Sequence, residues 1–560
     1  MRDNISRRNA LKAVSGAMLL PAACSTIPET LLSSTKFAHG IASGDPDQTS
    51  VVIWTRISEV SGPVDVEWQV ASDAAFNNIV KRGRIKTDTS RDYTVKVVVE
   101  GLRPGLEYFY KFSSNGTHSH IGQTRTLPDG CPDQLVLAIA TCSNYPFGYF
   151  NAYDSIAKDS SIDLVVHLGD YIYEYSVDGY GGESGKKLGR KHYPAHEILS
   201  LDDYRKRHAQ YKTDEGSLAM HARHPLIVIW DDHETANNPW MEGAQNHQHD
   251  EGDWLARRAV SMQAYYEWLP IRDPVNASDR PNYWRHYKFG DLVSLITLES
   301  RHTGRSKQID YADHESELDT VDKAGEFLKN VIGAPQRTFL SNEMEKFLQV
   351  ELEESSRSGR IWRIIGNQSI MAKSVPPVLN EALFDKLRKE LEGNGKQMLE
   401  GLDRLAELGL PGDLDAWDGY PEARERFYQI AKNAGVHDLL VVSGDSHGFW
   451  ANALFDADER SMGLELGATG ISSPRSLLAF GEAGLKRFDE LNSEQNKEIV
   501  WCDGRHRGFI RMEINRKGVQ ADFVAVSDVE SLRYFVSTIH SVNIVNREGK
   551  LQYESNNDQV

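Results

Sequence analysis

The chain has 560 residues, enough for two or more domains with their own cores. With 40% hydrophobic and 26% charged residues, and its Gly and Pro spread without low-complexity runs, it is neither disordered nor fibrous. A formal net charge of −18 repels polyanions and argues against a nucleic-acid-binding surface.

In chain order, "SRRNALK" (Ser6–Lys12) sets Arg7 and Arg8 before the short, weakly apolar "AVSGAMLLPAAC". This resembles a twin-arginine export signal over residues 1–24, implying the twin-arginine machinery as a partner and a periplasmic or secreted bacterial protein. Cys24 could take a lipid anchor, but Pro21 fits a lipobox poorly, and cleavage near Ala23 without lipid is the expectation. Cleavage would leave Cys131, Cys142 and Cys502, an odd number with at least one free thiol. No later apolar run is long enough to span a bilayer, so the mature chain is expected to have no transmembrane segment.

Residues 37–128 read as all β. "SVVIWTRI", "VDVEWQVA", "YTVKVVVEGL" and "LEYFYKFSS" alternate or run apolar between turn residues. "LRPGLEYFY" has the form of a tyrosine corner with Tyr108 at the bend, which predicts an immunoglobulin- or fibronectin-like β-sandwich. "LPDGCPD" (Leu127–Asp133) reads as a hinge.

Residues 134–530 change pattern: short, strongly apolar runs alternate with helix-like segments such as "NEMEKFLQVELEESS" and "EALFDKLRKELEGNGKQMLEGLDRLAEL", which predicts an α/β domain. "GFIRMEINRKGVQADFVAV" predicts a hairpin turning at Lys517-Gly518, and residues 531–560 form a C-terminal segment.

The apolar runs stop at Thr141-Cys142, Gly169-Asp170, Trp230-Asp231-Asp232-His233, Gly366-Asn367-Gln368 and Gly444-Asp445-Ser446-His447. In open α/β sheets ligands lie beyond the carboxyl ends of the strands, so these groups are expected in one crevice. Each alone has an ordinary explanation: Cys142 as a small core residue, the "DDHE" acids at a helix start. Together they make a donor set in which Cys142 offers a thiolate, Tyr173 a phenolate, Asp170 a bridging carboxylate, and Asp232, Asp445 and His447 further ligands. His233 is placed at a phosphoryl oxygen or leaving group. The "NHQHD" histidines, His247 and His249, read as a solvated loop because no strand end fixes them.

"ATCSN", "HLGDYIYE", "WDDHETANN", "YYEWLPIR" and "VVSGDSH", in this order behind a β module, resemble the PhoD-like alkaline phosphatase family, a branch of the metallophosphoesterases related to purple acid phosphatases. The resemblance runs from about residue 37 to about residue 526. It implies a catalytic β-sandwich of mixed sheets flanked by helices, with Fe(III) held by Cys142, Asp170, Tyr173 and His447. It also implies a second cation at Asp170, Asp232 and Asp445, where carboxylates favour Ca²⁺. The implied activity is hydrolysis of phosphomonoesters, and some phosphodiesters, through a metal-bound hydroxide, with Asp170 and His233 catalytic. Asn238, Arg301 and Asn367 are expected near substrate, although "LESR" carries Glu299 where the family has aspartate. Members close the cleft with a terminal helix, and Asp528–Ile539 is expected to serve here. The alternatives are a phosphodiesterase or phospholipase D-like hydrolase on the same scaffold, or a non-catalytic periplasmic binding protein.

Overall fold

The computed structural model describes residues 35–554; the expected signal at residues 1–24, with Arg7, Arg8 and Cys24, lies outside the described residues. Among the described residues the architecture rests on two large mixed sheets packed face to face. The first has ten strands in the spatial order Lys550–Tyr553, Val536–Arg547, Val519–Val526, Arg507–Asn515, Gln134–Ala140, Leu164–His167, Leu226–Val228, Ile41–Gly44, Ser50–Arg56 and Thr94–Glu100. Its centre is parallel: Gln134–Ala140, Leu164–His167 and Leu226–Val228 run the same way. The second has seven strands, of which Val293–Thr297, Trp362–Gly366, Leu439–Ser443 and Ser461–Gly467 are the parallel set.

Leu137, Ile139 and Val166 from one sheet meet Ile364, Val442 and Leu466 from the other in a single buried layer. These strands are apolar on both faces because helices cover the outside. Asn151–Lys158, Leu201–Tyr211, Glu215–Arg223 and Trp254–Trp268 back the first sheet. Asn342–Arg357 and Pro421–Asn433 back the second. No helix of the described residues is long and apolar enough to cross a membrane.

The predicted hairpin forms as read, with Asn515 N–H bonded to Gly518 O at its turn. Tyr108 is buried, and its hydroxyl accepts from Arg103 N–H at 2.8 Å, tying the bend to the chain five residues upstream. The continuous helix-like run after residue 382 is instead two helices, Ala382–Glu390 and Gly393–Leu408, and Gly393 takes the positive φ of 54° at the break.

The β module shares a sheet with the rest of the chain, and the expected C-terminal helix is corrected. Residues 37–128 form two sheet layers, of which Ile41–Gly44, Ser50–Arg56 and Thr94–Glu100 continue the ten-stranded sheet through a parallel contact of Gly44 with Leu226. A Cβ on Gly44 would stand 2.5 Å from Leu226 O, so only glycine admits this junction. Alternation marks a strand, but it does not reveal which open edge will satisfy that strand's amides.

The C-terminal segment is not a helix over the cleft. Val536–Arg547 and Lys550–Tyr553 are outer strands of the ten-stranded sheet. Residues 528–535 are a non-helical turn fixed by Asn151 Nδ2 to the carbonyls of Asp528 and Ser531. β-Branched residues recurring through "VSTIHSVNIV" favour the strand.

Candidate metal centre

The carboxyl ends of both parallel strand sets open on the same side, and the loops that follow them converge. Cys142 follows Gln134–Ala140, Asp170 follows Leu164–His167, and Asp231 to Glu234 follow Leu226–Val228. From the second sheet come Arg301, Asn367 and Asp445. The loops are stitched together by main-chain bonds, such as Cys142 N–H to Gly169 O at 3.1 Å and Ser143 N–H to Asp170 O at 2.9 Å.

Local backbone strain marks the site. Cys142, Asp170, Asn238, Asp445 and His447 all have positive φ, between 49° and 62°. Non-glycine residues adopt that region sparingly, and such positions concentrate where geometry serves a ligand. The glycines before the acids permit close approach: a Cβ on Gly169 would stand 2.5 Å from Asp231 N, and one on Gly444 would stand 2.4 Å from Thr141 Oγ1.

Side-chain donors fall into overlapping groups whose ligand atoms lie within 4.8 Å of one another: Cys142, Asp170 and His447; Asp170, Asp232 and His233; and Asp170, Asp231, Asp232 and Asp445. Asp170 belongs to all three groups. Tyr173 Oη completes the first, donating to Asp170 Oδ2 at 2.9 Å and standing 3.3 Å from His447 Nε2. His447 Nδ1 donates to Pro474 O at 2.9 Å, which leaves the Nε2 lone pair turned toward the crevice.

These residues fit a pair of cations. Asp231 Oδ2 and Asp232 Oδ1 are buried without a hydrogen-bond partner, a situation that in a native interior calls for a ligand. Burial first, then neighbouring carboxylates, push Asp445 well above the usual carboxylate range. Burial does the same to Asp170, with the acids at 231, 232 and 234 adding to it against the opposing pull of His233. Burial, reinforced by Asp170, likewise raises the Cys142 thiol and the Tyr173 phenol well above their ordinary values. A bound cation inverts this logic by favouring the anion of each group.

His233 is buried beside Asp232. Its Nδ1 meets Glu174 Oε2 at 2.8 Å and its ring stacks on Tyr173 with centroids 4.2 Å apart. Burial opposes its charge, but Asp232, Glu174 and Asp170 outweigh burial and raise its pKa well above the ordinary value.

Of the three residues expected at substrate, Arg301 and Asn367 have their side chains engaged internally. Arg301 is fully buried: Nε pairs with Asp231, Nη1 with Asp415, and Nη2 stands 3.3 Å from Asp445 and 3.9 Å from Asp232. It is an internal counter-charge for the acids rather than a group facing a ligand. Asn367 spends its amide internally, donating to Ser369 O and accepting from Trp417 Nε1 at 3.2 Å. Asn238 N–H donates to Asp232 Oδ2 at 3.0 Å, so its backbone fixes that carboxylate. His247 is paired with Glu251 at 3.6 Å while His249 is exposed, and neither joins the centre.

Sequence reading missed Asp231 as a donor, Asp415 as the partner of Arg301, and the carboxylates that organise the loops. Glu234 accepts from the backbone N–H groups of Asp231, Asp170 and Tyr171 at 2.8, 3.1 and 2.5 Å. Glu299 gathers the N–H groups of Arg301, His302 and Thr303. Adjacent acids in "WDDHE" were a visible signal for Asp231. Asp415, 114 residues from Arg301, gave none.

Comparison with known proteins identifies the family. Residues 137–523 match a family model described as PhoD-like phosphatase, and residues 23–128 match its N-terminal domain. The chain is 32% identical over 511 residues to alkaline phosphatase D of Bacillus subtilis (strain 168), covering 88% of this chain and 78% of that protein. It superposes on a solved structure of PhoD with a TM-score of 0.75 at 29% identity, covering 93% of this chain and 92% of the other.

Proposed function

The chain belongs to the PhoD-like phosphatase family, and from that premise we propose that it hydrolyses phosphomonoesters at a two-cation centre pivoting on Asp170. The observation that carries this is the presence of Asp170 in every donor group of the crevice. Cys142, Tyr173 and His447 on one side are a thiolate, a phenolate and an imidazole suited to Fe(III). Asp231, Asp232 and Asp445 on the other are hard oxygen donors suited to Ca²⁺.

Bound there, the cations would neutralise phosphoryl oxygens and activate a water. The chain's own contribution is positional: Glu234 and Glu299 fix the loops, Arg301 holds three acids apart, and His233 presents a proton to the departing alkoxide.

Export through the twin-arginine route completes the proposal, placing the enzyme in the periplasm or outside the cell. It rests on Arg7 and Arg8, whose replacement by Lys is expected to leave the protein in the cytoplasm. The catalytic reading is tested by assaying the purified protein on nitrophenyl phosphate and bis(nitrophenyl) phosphate while measuring bound metals. A monoester rate that exceeds the diester rate and scales with iron content is expected. Equal monoesterase activity in metal-stripped protein would overturn it.

A further inference from the structure

Glu174 immediately follows Tyr173 and is fully buried. Each of its oxygens is occupied. Oε2 meets His233 Nδ1 at 2.8 Å, and Oε1 accepts from Asn237 N–H and from Asn246 Nδ2, both at 2.8 Å. A carboxylate held ionised by three donors can only accept, so His233 Nδ1 carries a hydrogen. The ring is fixed on its face by Tyr173, 4.2 Å between centroids, and at its edge by Glu174. The remaining nitrogen, Nε2, stands 3.7 Å from Asp232 Oδ2, on the side of the ligand acids.

Resting on the reading of His233 as proton donor to the leaving group, we propose that Glu174 is the positioning residue that makes this donation possible. It holds Nδ1 and the ring plane, so that Nε2 faces the side of the ligand acids on which the ester oxygen would lie. As a hydroxide, whose proton has passed to solvent on activation, forms the new P–O bond, the old P–O bond breaks with its electron pair left on the ester oxygen. The Nε2 proton moves to that oxygen, and neutral His233 keeps its Nδ1–H on Glu174 until solvent reprotonates Nε2. Asn237 and Asn246 tie the orientation to the loop after Ala236, so the dyad is anchored from two segments of chain.

The experiment compares kcat for nitrophenyl phosphate, whose leaving group needs no proton, with kcat for a simple alkyl phosphate, whose leaving group does. Both assays use metal-loaded parent, His233→Asn, Glu174→Gln and the double variant. His233→Asn and Glu174→Gln are each expected to lose about 100-fold or more on the alkyl ester and less than about tenfold on the nitrophenyl ester. Iron content should be unchanged, and the double variant should be no slower than His233→Asn. A steep loss in His233→Asn with a uniform loss in Glu174→Gln overturns the role of Glu174 alone. Uniform losses in both overturn the donor role of His233 and this inference with it. If Glu174→Gln does not fold, Glu174→Asp keeps the charge but draws it back from Nδ1. It should show the same selective loss, and an unchanged ratio between the two esters overturns the proposal.

Discussion

The phenol of Tyr173 donates to Oδ2 of Asp170 over 2.9 Å, closing the two ends of one four-residue turn on each other. Tyr173 Oη also stands 2.8 Å from Ser473 Oγ and 3.3 Å from His447 Nε2, residues about 300 positions away in the chain.

That meeting predicts a spectroscopic signature. A phenolate on Fe(III) should give a broad visible band with tyrosinate ring modes in resonance Raman, and Tyr173→Phe should lose those modes while keeping most packing. Cys142→Ser should fold, keep the ring modes of any residual iron, and lose most of its iron, because a hydroxyl is a poor substitute for a thiolate. Ring modes that survive Tyr173→Phe would assign the iron to another tyrosine.

Arg301 separates two readings of one residue. As an internal counter-charge, its replacement in Arg301→Leu leaves Asp231, Asp232 and Asp445 buried and unpaired, and the metal-free protein should lose about 3–5 kcal/mol of stability. Added Ca²⁺ should then raise the melting temperature of the variant more than that of the parent, since cations replace the lost charge. A substrate-binding Arg301 would instead raise KM and leave metal-free stability unchanged.

The crevice was legible because its donors sit directly after strands, where a change from apolar to polar is visible in sequence. Asp170, Asp232, Asp445, His447 and Cys142 were singled out by that change, and the family resemblance supplied their roles. Tertiary partners were not legible. Nothing local says that Arg301 will meet Asp415, or that Glu174 will meet His233 59 residues on. The internal partners of Asn367 and Arg301 were illegible for the same reason: a polar residue at a strand end can face a ligand or brace its neighbours, and composition is equal in both cases. The fold followed a similar division. Strands and the hairpin at Lys517-Gly518 were readable from alternation and turn residues. The junction of Gly44 with Leu226 was not, because an edge strand carries no mark of the partner it will choose.

A buried lysine behind the centre gives a pH test. Lys212 contacts Tyr171 Oη and His221 Nε2, both at 3.2 Å, with no carboxylate in ion-pair range among the described residues. Burial lowers its pKa to about 7 from an ordinary 10.5. Between those values the unfolded chain holds a proton that the folded one has released, so stability rises with pH across that window, and the burden of the buried charge is full at or below 7. Lys212→Met should remove this slope, which integrates to on the order of 5 kcal/mol as an upper bound. Denaturant unfolding at pH 7 and pH 10 checks it. A stability difference between parent and variant that does not shrink as pH rises would contradict the assignment.

The central claim is that Asp170 serves both cations. Metal analysis of Asp170→Ala, purified beside the parent under the same conditions, tests it most directly. Iron and the second cation should both fall to about a tenth of the parent content or less, and phosphatase activity should fall with them. A variant that keeps its full iron while losing the second cation, or the reverse, would show that Asp170 belongs to one site and that the centre is not built on a shared carboxylate.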